Sequence, residues 1–247
     1  MRKVILFLFM LVPLLGADME TLMRQGNAHY QAGRFEEAIA AYQKVLNTGM
    51  ASGALYYNLG CAWFELDEVG EAILAFQRAK RLLPRDEDVT YNLEHARLYR
   101  HDRFDLPAQM PIVRAAAKAR SAYTVAELRW GVAISFGLFL AAFIAYRVTT
   151  RNRPRPAFLY VAVVSAFIFI VLGGWMVDRM GDARRIQVVV LDPVAECRSA
   201  PLATADVLFN IHEGTEGRIE QETDDWYEIQ LPDGKRAWLP KEVVGTF

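Results

Sequence analysis

The residue types that most often carry catalysis or bind metals are sparse in this chain of 247 residues. Two cysteines, Cys61 and Cys197, lie far apart, which excludes a disulfide framework and a Cys-rich zinc site. Paired carboxylates such as Glu36 and Glu37 fit a solvated helix face. We therefore predict no catalytic residue, no cofactor and no metal. The four histidines lack the spacing of metal ligands and are expected to be structural or surface residues: His29, His95, His101 and His212.

The charge balance limits the possible partners. Lys and Arg total 28 and Asp and Glu total 29, a net charge of −1, which excludes an overall polycation built for nucleic acid. The charge is unevenly distributed, because residues 186–247 carry 5 basic against 12 acidic side chains, or −7. A segment of this charge disfavours anionic ligands and suits a basic partner.

A 34-residue self-similarity runs through residues 19–103 and predicts a set of repeated helices. Gly26 recurs as Gly60, and Tyr42 recurs as Phe76. Small residues let paired helices approach closely, and the rings fill the space between them. This period and pattern resemble the tetratricopeptide repeat. The predicted solenoid covers residues 18–103, with two repeats, Pro84 ending the second, and a polar-faced capping helix over 86–103.

The resemblance implies a concave groove lined by the first helix of each repeat. Asn27 and Asn58 match positions that hold a peptide carboxylate in some tetratricopeptide domains, but the basic partners are missing. We therefore expect an apolar, aromatic groove for a helix or an extended segment of a protein partner. The alternative is that these residues pack between the first helices. The candidate groove residues are Met23, Asn27, Tyr30, Tyr57, Asn58, Phe64, Tyr91 and His95.

After residue 185 the pattern changes to short β-branched or aromatic stretches between frequent turn signals, which predicts a small all-β barrel. Strands are expected within 186–191, 206–211, 217–221, 225–231 and 236–240. The stretches AECRSAP, WYEI and DGKRAWL resemble the bacterial SH3 family, and the resemblance covers nearly all of 186–247. It implies binding of a protein or of cell-wall peptides, with Trp238 alternatively part of the core. The candidate SH3 groove residues are Trp226, Tyr227 and Trp238.

Three apolar segments predict membrane insertion. Residues 1–17 have the layout of a secretory signal peptide, cleaved after Ala17, or alternatively of an uncleaved N-terminal anchor. Residues 130–146 and 157–177 are uncharged runs that predict two transmembrane helices, with a buried core helix as the alternative for each. The first run would rise about 25 Å, just short of a hydrocarbon core of about 30 Å, and Arg129 and Arg147 can snorkel from its ends, whereas the second is long enough to span outright. Thr124 and Glu127 are spaced as a capping box before the first run. Residues 104–129 are expected to form a linker and a juxtamembrane helix.

The loop between the two apolar runs, residues 147–156, contains four arginines and no acid, so the positive-inside rule places it in the cytoplasm. Both flanking domains then face the periplasm. The fold class is a multi-domain membrane protein: an all-α tetratricopeptide solenoid, two transmembrane helices and a small C-terminal SH3-like barrel.

This order of parts resembles the E component of the Bat (aerotolerance operon) proteins over essentially the full length. The resemblance implies a multi-pass protein of the bacterial inner membrane that partners von Willebrand A-domain membrane proteins of the same operon and their MoxR-type ATPase. We expect a non-enzymatic, membrane-anchored scaffold for partner proteins in a complex for aerotolerance or envelope stress. The alternative is a peptidoglycan-binding sensor or tether that acts through the SH3 domain.

Overall fold

A computed structural model describes residues 20–104, 110–121, 123–150, 154–184 and 186–247. The predicted signal peptide or anchor, residues 1–17, lies outside the described residues, as do 105–109 of the predicted linker and 151–153 of the predicted basic loop. The chain forms two compact units. One combines Met1–Leu106 with Ile186–Phe247, and the other is Pro107–Arg185.

The first unit begins with antiparallel helix pairs. Helix α1 covers residues 20–31, and it is followed by α2 (Phe35–Asn47), α3 (Gly53–Glu65), α4 (Val69–Leu82) and α5 (Glu87–Tyr99). Helix α4 ends just before Pro84, as expected, because proline disfavours helical backbone at the residue before it. Ser52 and Asp86 cap α3 and α5 by accepting hydrogen bonds from backbone amides three residues on.

The predicted contacts within each helix pair are confirmed. A side chain at Gly26 would place its Cβ 2.7 Å from Cδ1 of Tyr42, and one at Gly60 would lie 2.7 Å from the same atom of Phe76. Both rings are 1% exposed. The two turns also repeat, because Gly33 and, 34 residues later, Asp67 have φ of +71° and +60°, a left-handed conformation that links each first helix to its second.

Residues 186–247, which we call the β-domain, form a seven-stranded antiparallel sheet in the order β3-β2-β6-β5-β4-β1-β7. All five predicted strands are present. Their side chains alternate between a core containing Val188, Cys197 and Ile229 and the opposite face. The strands are β1 (Gln187–Val190), β2 (Val194–Arg198), β3 (Val207–His212), β4 (Glu216–Glu222), β5 (Trp226–Gln230), β6 (Arg236–Pro240) and β7 (Val244–Thr246).

The β-domain packs directly against the helical repeats, although the two parts are far apart in sequence. Val189 and Phe247 join the same apolar cluster as Ile73, Phe76 and Leu93 of helices α4 and α5. The sequence predicts that a polar-faced helix closes the stack, but α5 is covered by the β-domain. We call this contact surface the docking interface: α4, α5 and residues 100–104 on one side, and β1, β7 and residues 212–216 on the other.

The second unit contains α6 (Pro111–Ser121), α7 (Val125–Val148) and α8 (Arg155–Arg184). The predicted capping box is confirmed, because the Glu127 side chain accepts a bond from the Thr124 amide and the Thr124 hydroxyl accepts one from the Glu127 amide. Helices α7 and α8 pack antiparallel, with the rings of Phe136 and Phe169 5.4 Å apart. Both are long and apolar enough to cross a membrane, by length and composition.

Candidate partner-binding surfaces

The first candidate surface is a pocket of about 310 Å³ on the helical repeats, formed mainly by first helices α1 and α3. Four predicted groove residues meet there: Asn27, Tyr30, Tyr57 and Asn58. The other lining residues, Gln31, Tyr42 and Cys61, were not among the predicted groove residues. Tyr42 was assigned to interhelical packing, and its ring does pack against Gly26 while it also lines the pocket.

Hydrogen bonds fix the pocket floor. Asn58 Nδ2 and the Tyr42 hydroxyl both donate to Oδ1 of Asn27, at 3.0 and 2.8 Å. Burial raises the pKa of Tyr30, Tyr42 and Tyr57 to about 12, so the phenols stay neutral at physiological pH. Burial likewise raises the pKa of Cys61 to about 11, which agrees with a packing role and argues against a reactive thiol.

The remaining predicted groove residues lie outside this pocket. Phe64, Tyr91 and His95 form an aromatic cluster with Tyr99, in which the Phe64 and His95 rings are 5.3 Å apart and those of Phe64 and Tyr99 are 5.2 Å apart. Tyr99 was missed, although it follows His95 by four residues, one helical turn. Met23 packs against an apolar cluster built mainly by α2 and α3.

The second candidate surface is a depression of about 490 Å³ on the β-domain. Its lining residues are Arg198, Ala203, Asp224, Asp225, Trp226, Pro240, Lys241 and Glu242. Trp226 pairs with Pro240 across β5 and β6, and Trp238 pairs with Glu228, so strand alternation places both tryptophans on the same face of the sheet.

The third predicted SH3 residue faces the other way. Tyr227 pairs with the fully buried Leu239 and packs against the core of the β-domain. Both tryptophans are half-buried. Between them, Oε2 of Glu228 is buried without a hydrogen-bond partner in the part of the chain that the structure describes. The face therefore combines two indole rings with carboxylates, a combination suited to a cationic group.

Three of the four histidines contact other side chains, whereas Nδ1 of His29 is buried without a hydrogen-bond partner in the described part of the chain. His212 lies against Asp102, with its Nδ1 2.9 Å from Oδ1 of the carboxylate. The ring centroids of His101 and His212 are 4.1 Å apart. His95 belongs to the aromatic cluster. Within the described ranges, no group of three or more His, Cys, Asp or Glu side chains is arranged to hold a metal ion.

Comparison with known proteins identifies the two parts of the first unit. Residues 23–87 match the tetratricopeptide repeat model, and residues 192–245 match the bacterial SH3 domain model. No curated protein is significantly similar to the chain. The crystal structure of MamA is similar at 21% identity over 68% of this chain and 86% of that one, with a TM-score of 0.32, too low to support an argument. The chain thus contains tetratricopeptide repeats and a bacterial SH3 domain, two kinds of protein-interaction module.

Proposed function

We propose that this protein is a non-enzymatic, membrane-anchored scaffold that holds partner proteins through two surfaces, the pocket of the helical repeats and the Trp226 depression of the β-domain. The observation that carries the proposal is that two interaction modules pack into one unit, each with a surface depression lined by aromatic and polar side chains. Holding two weak contacts on one body raises the avidity for a partner that carries both epitopes.

The chemistry of the surfaces supports a partner segment with apolar and basic residues. Met23, Asp88 and Asn92 stand at the positions where a carboxylate clamp has its basic residues. Asn92 donates a hydrogen bond to the Tyr57 hydroxyl at 2.8 Å. The groove therefore offers rings and amides to a helix or an extended segment rather than cations to a free C-terminus. On the β-domain, Asp224 and Asp225 beside Trp226 favour a lysine or arginine side chain.

Exposed apolar side chains on α7 and α8 support the membrane anchor. Trp130, Ile134, Tyr160 and Phe167 are each at least 60% exposed, a pattern that suits lipid contact. Ser135 and Ser165 bond carbonyls within their own helices, which satisfies these hydroxyls without water. Two crossings would return the chain to the side from which it started, which fits the packing of the helical repeats against the β-domain.

We assign the orientation from the basic loop at 147–156 and place both modules in the periplasm, with the hairpin in the bacterial inner membrane. Alkaline phosphatase, which is active only in the periplasm, should be active when fused after Phe247 and silent when fused after Asn152. The reverse pattern of activity would overturn the orientation, and activity at both positions would overturn the two-span hairpin.

The proposed partners are von Willebrand A-domain membrane proteins of a Bat-type aerotolerance or envelope-stress complex. A photo-crosslinking residue placed at Tyr57 or Trp226 in cells should capture such a protein, since both positions line the candidate surfaces. The same probe at Ala40, which is exposed on α2, is the matched control. Equal capture from Ala40, or no von Willebrand A-domain protein from either surface, would contradict this assignment.

The Trp226 depression is lined by three carboxylates and by two basic side chains that already pair with Glu196 and Glu222. It also fits a second function, a sensor or tether that binds the amino groups of peptidoglycan peptides. In that case the detergent-solubilised full chain should sediment with purified cell wall, and Trp226→Ala should weaken the apparent affinity about thirtyfold, which corresponds to the loss of about 2 kcal/mol of a hot spot. Val207→Ala, an exposed position on β3, is the control for surface change. Failure of the wild-type chain to sediment would eliminate this function and leave the scaffold.

A further inference from the structure

The second helices of the two repeats differ on their outward faces. In α2 this face is solvent-exposed, whereas the positions 34 residues later in α4 are buried or half-buried. The exposed set is Glu36, Ala40, Gln43 and Lys44, and the equivalent set is Gly70, Leu74, Gln77 and Arg78. The second repeat has therefore replaced a solvated face with a packing face, and the docked β-domain covers it.

The docking interface brings backbone against backbone. A side chain at Gly70 would place its Cβ 2.7 Å from the carbonyl oxygen of Val190 and 3.2 Å from Cα of Leu191. A side chain at Gly245 of β7 would overlap the Leu74 side chain. The Arg78 guanidinium donates to the Thr246 carbonyl at 2.9 Å. Helix α4 therefore packs on β1 and β7 as closely as elements within one core.

This interface is continuous with one wall of the pocket of the helical repeats, which we call the groove from here on. Val189 and Phe247 of the β-domain share one cluster with Phe76 of α4, and Tyr57, Cys61 and Phe64 of α3 pack against that cluster. The rings of Tyr57 and Phe76 are 6.0 Å apart. One layer of side chains therefore separates the β-domain from Tyr57 and Cys61, which line the pocket on the opposite side of the second repeat.

We propose that the β-domain is the terminal cap of the helical repeats and that its docking on α4 and α5 maintains the shape of the groove. A repeat array with two full repeats leaves the core face of its last helices open, and some other element must cover it. Here the covering element is an SH3 fold that arrives from beyond an inserted helical hairpin. That loss of docking would weaken partner capture rests on the proposed function. That loss of docking would change the groove does not.

The test introduces Gly70→Val into the full chain in detergent, because the added Cβ meets a backbone oxygen that cannot rotate away. Glu36→Val is the matched control at the same position of the first repeat, where the side chain is exposed. Two readouts need no partner. Hydrogen–deuterium exchange of β1 and β7 reports undocking, and N-ethylmaleimide labelling reports the two cysteines, half-buried Cys61 in the groove and buried Cys197 in the β-domain core.

We expect Gly70→Val to raise exchange in β1 and β7 and to speed Cys61 labelling at least about tenfold, the effect of a local opening, while Cys197 stays protected. Glu36→Val should match the wild type. Faster exchange in β1 and β7 with unchanged Cys61 labelling would overturn the proposal, as would no change in either readout. If Gly70→Val exposes Cys197 as well, the smaller Gly70→Ala is judged by the same two criteria. Because no partner is present, a failed scaffold function would leave these results unchanged.

Discussion

Replacing Glu216 with alanine should lower the free energy of unfolding of the first unit by about 3 kcal/mol, the range for breaking a buried ion pair. The Glu216 side chain is 15% exposed and accepts bonds from Arg97 Nε at 2.9 Å and Nη2 at 2.8 Å. Arg100 and Gln77 donate to the same carboxylate. The substitution would leave a largely buried guanidinium without its main counterion.

Glu94 supplies a matched control because it pairs with the same Arg97 from the exposed side, with its own side chain 63% exposed. Glu94→Ala should cost at most about 0.5 kcal/mol, as exposed pairs do. Thermal unfolding of the full chain in detergent would measure both, with a loss in Tm of about 6–12 °C for Glu216→Ala, from about 2–4 °C per kcal/mol. Equal losses for the two variants would show that Glu216 does not stabilise the docked state.

The pKa of Arg97 agrees with this view of the interface. Burial by itself lowers it, but hydrogen bonds and charge from Glu216, with a smaller effect from Glu94, outweigh burial and raise it above its ordinary value. The Arg97 guanidinium is therefore charged throughout the physiological range. Its effect on stability should change little between pH 6 and 8.

Asp102→Asn is the second substitution expected to weaken docking strongly, by about 2 kcal/mol at neutral pH, because it removes hydrogen bonds to a charged group. Asp102 follows α5, and its Oδ2 accepts bonds from the His212 amide and the Thr215 hydroxyl, both at 2.7 Å. Thr215 is fully buried. An asparagine amide oxygen in the place of Oδ2 would keep both bonds, but it carries no charge to strengthen them. The substitution also puts an amide NH2 group in the place of Oδ1, which lies 2.9 Å from Nδ1 of His212.

This prediction carries a pH dependence. Burial opposes ionisation of Asp102, but hydrogen bonds from Thr215 and His212 outweigh it and lower its pKa below the ordinary value. A carboxyl with a lower pKa in the folded state stabilises fully above its unfolded pKa of about 3.9 and loses that effect as pH falls through the folded pKa. The difference in Tm between wild type and Asp102→Asn should therefore be full at pH 6 and shrink at pH 3.

Asp192→Asn, at an exposed position between β1 and β2, is the control for the change of charge. It should leave Tm close to that of the wild type at both pH values. A difference for Asp102→Asn that persists unchanged at pH 3 would contradict the assigned role of the carboxylate. The Asp102 carboxyl of the unfolded chain is largely protonated at that pH, so the stabilisation that comes from the lower folded pKa must already be falling.

The helix pairs and most of the strands could be predicted from the sequence because their determinants are local. Gly26 and Gly60 lie opposite Tyr42 and Phe76, as the 34-residue period indicates. The candidate surfaces were predicted less completely. The period locates the helices but not the side-chain conformations on them, so the phenol of Tyr42 in the pocket and the added ring of Tyr99 were missed. Tyr227, a candidate for the SH3 groove, packs against the core of the β-domain.

By itself, the sequence determined the repeat, five short strands between turns and the two long apolar helices, since each is a local pattern of residue types with a characteristic period or length. Only the tertiary structure decided that the repeats and the SH3 domain form one unit. Gly70 and Glu216 look like ordinary residues of a helix and a turn, and Asp102 looks like part of a linker. Their roles depend on close approach between segments more than a hundred residues apart, and such contacts leave no periodic pattern in a single sequence.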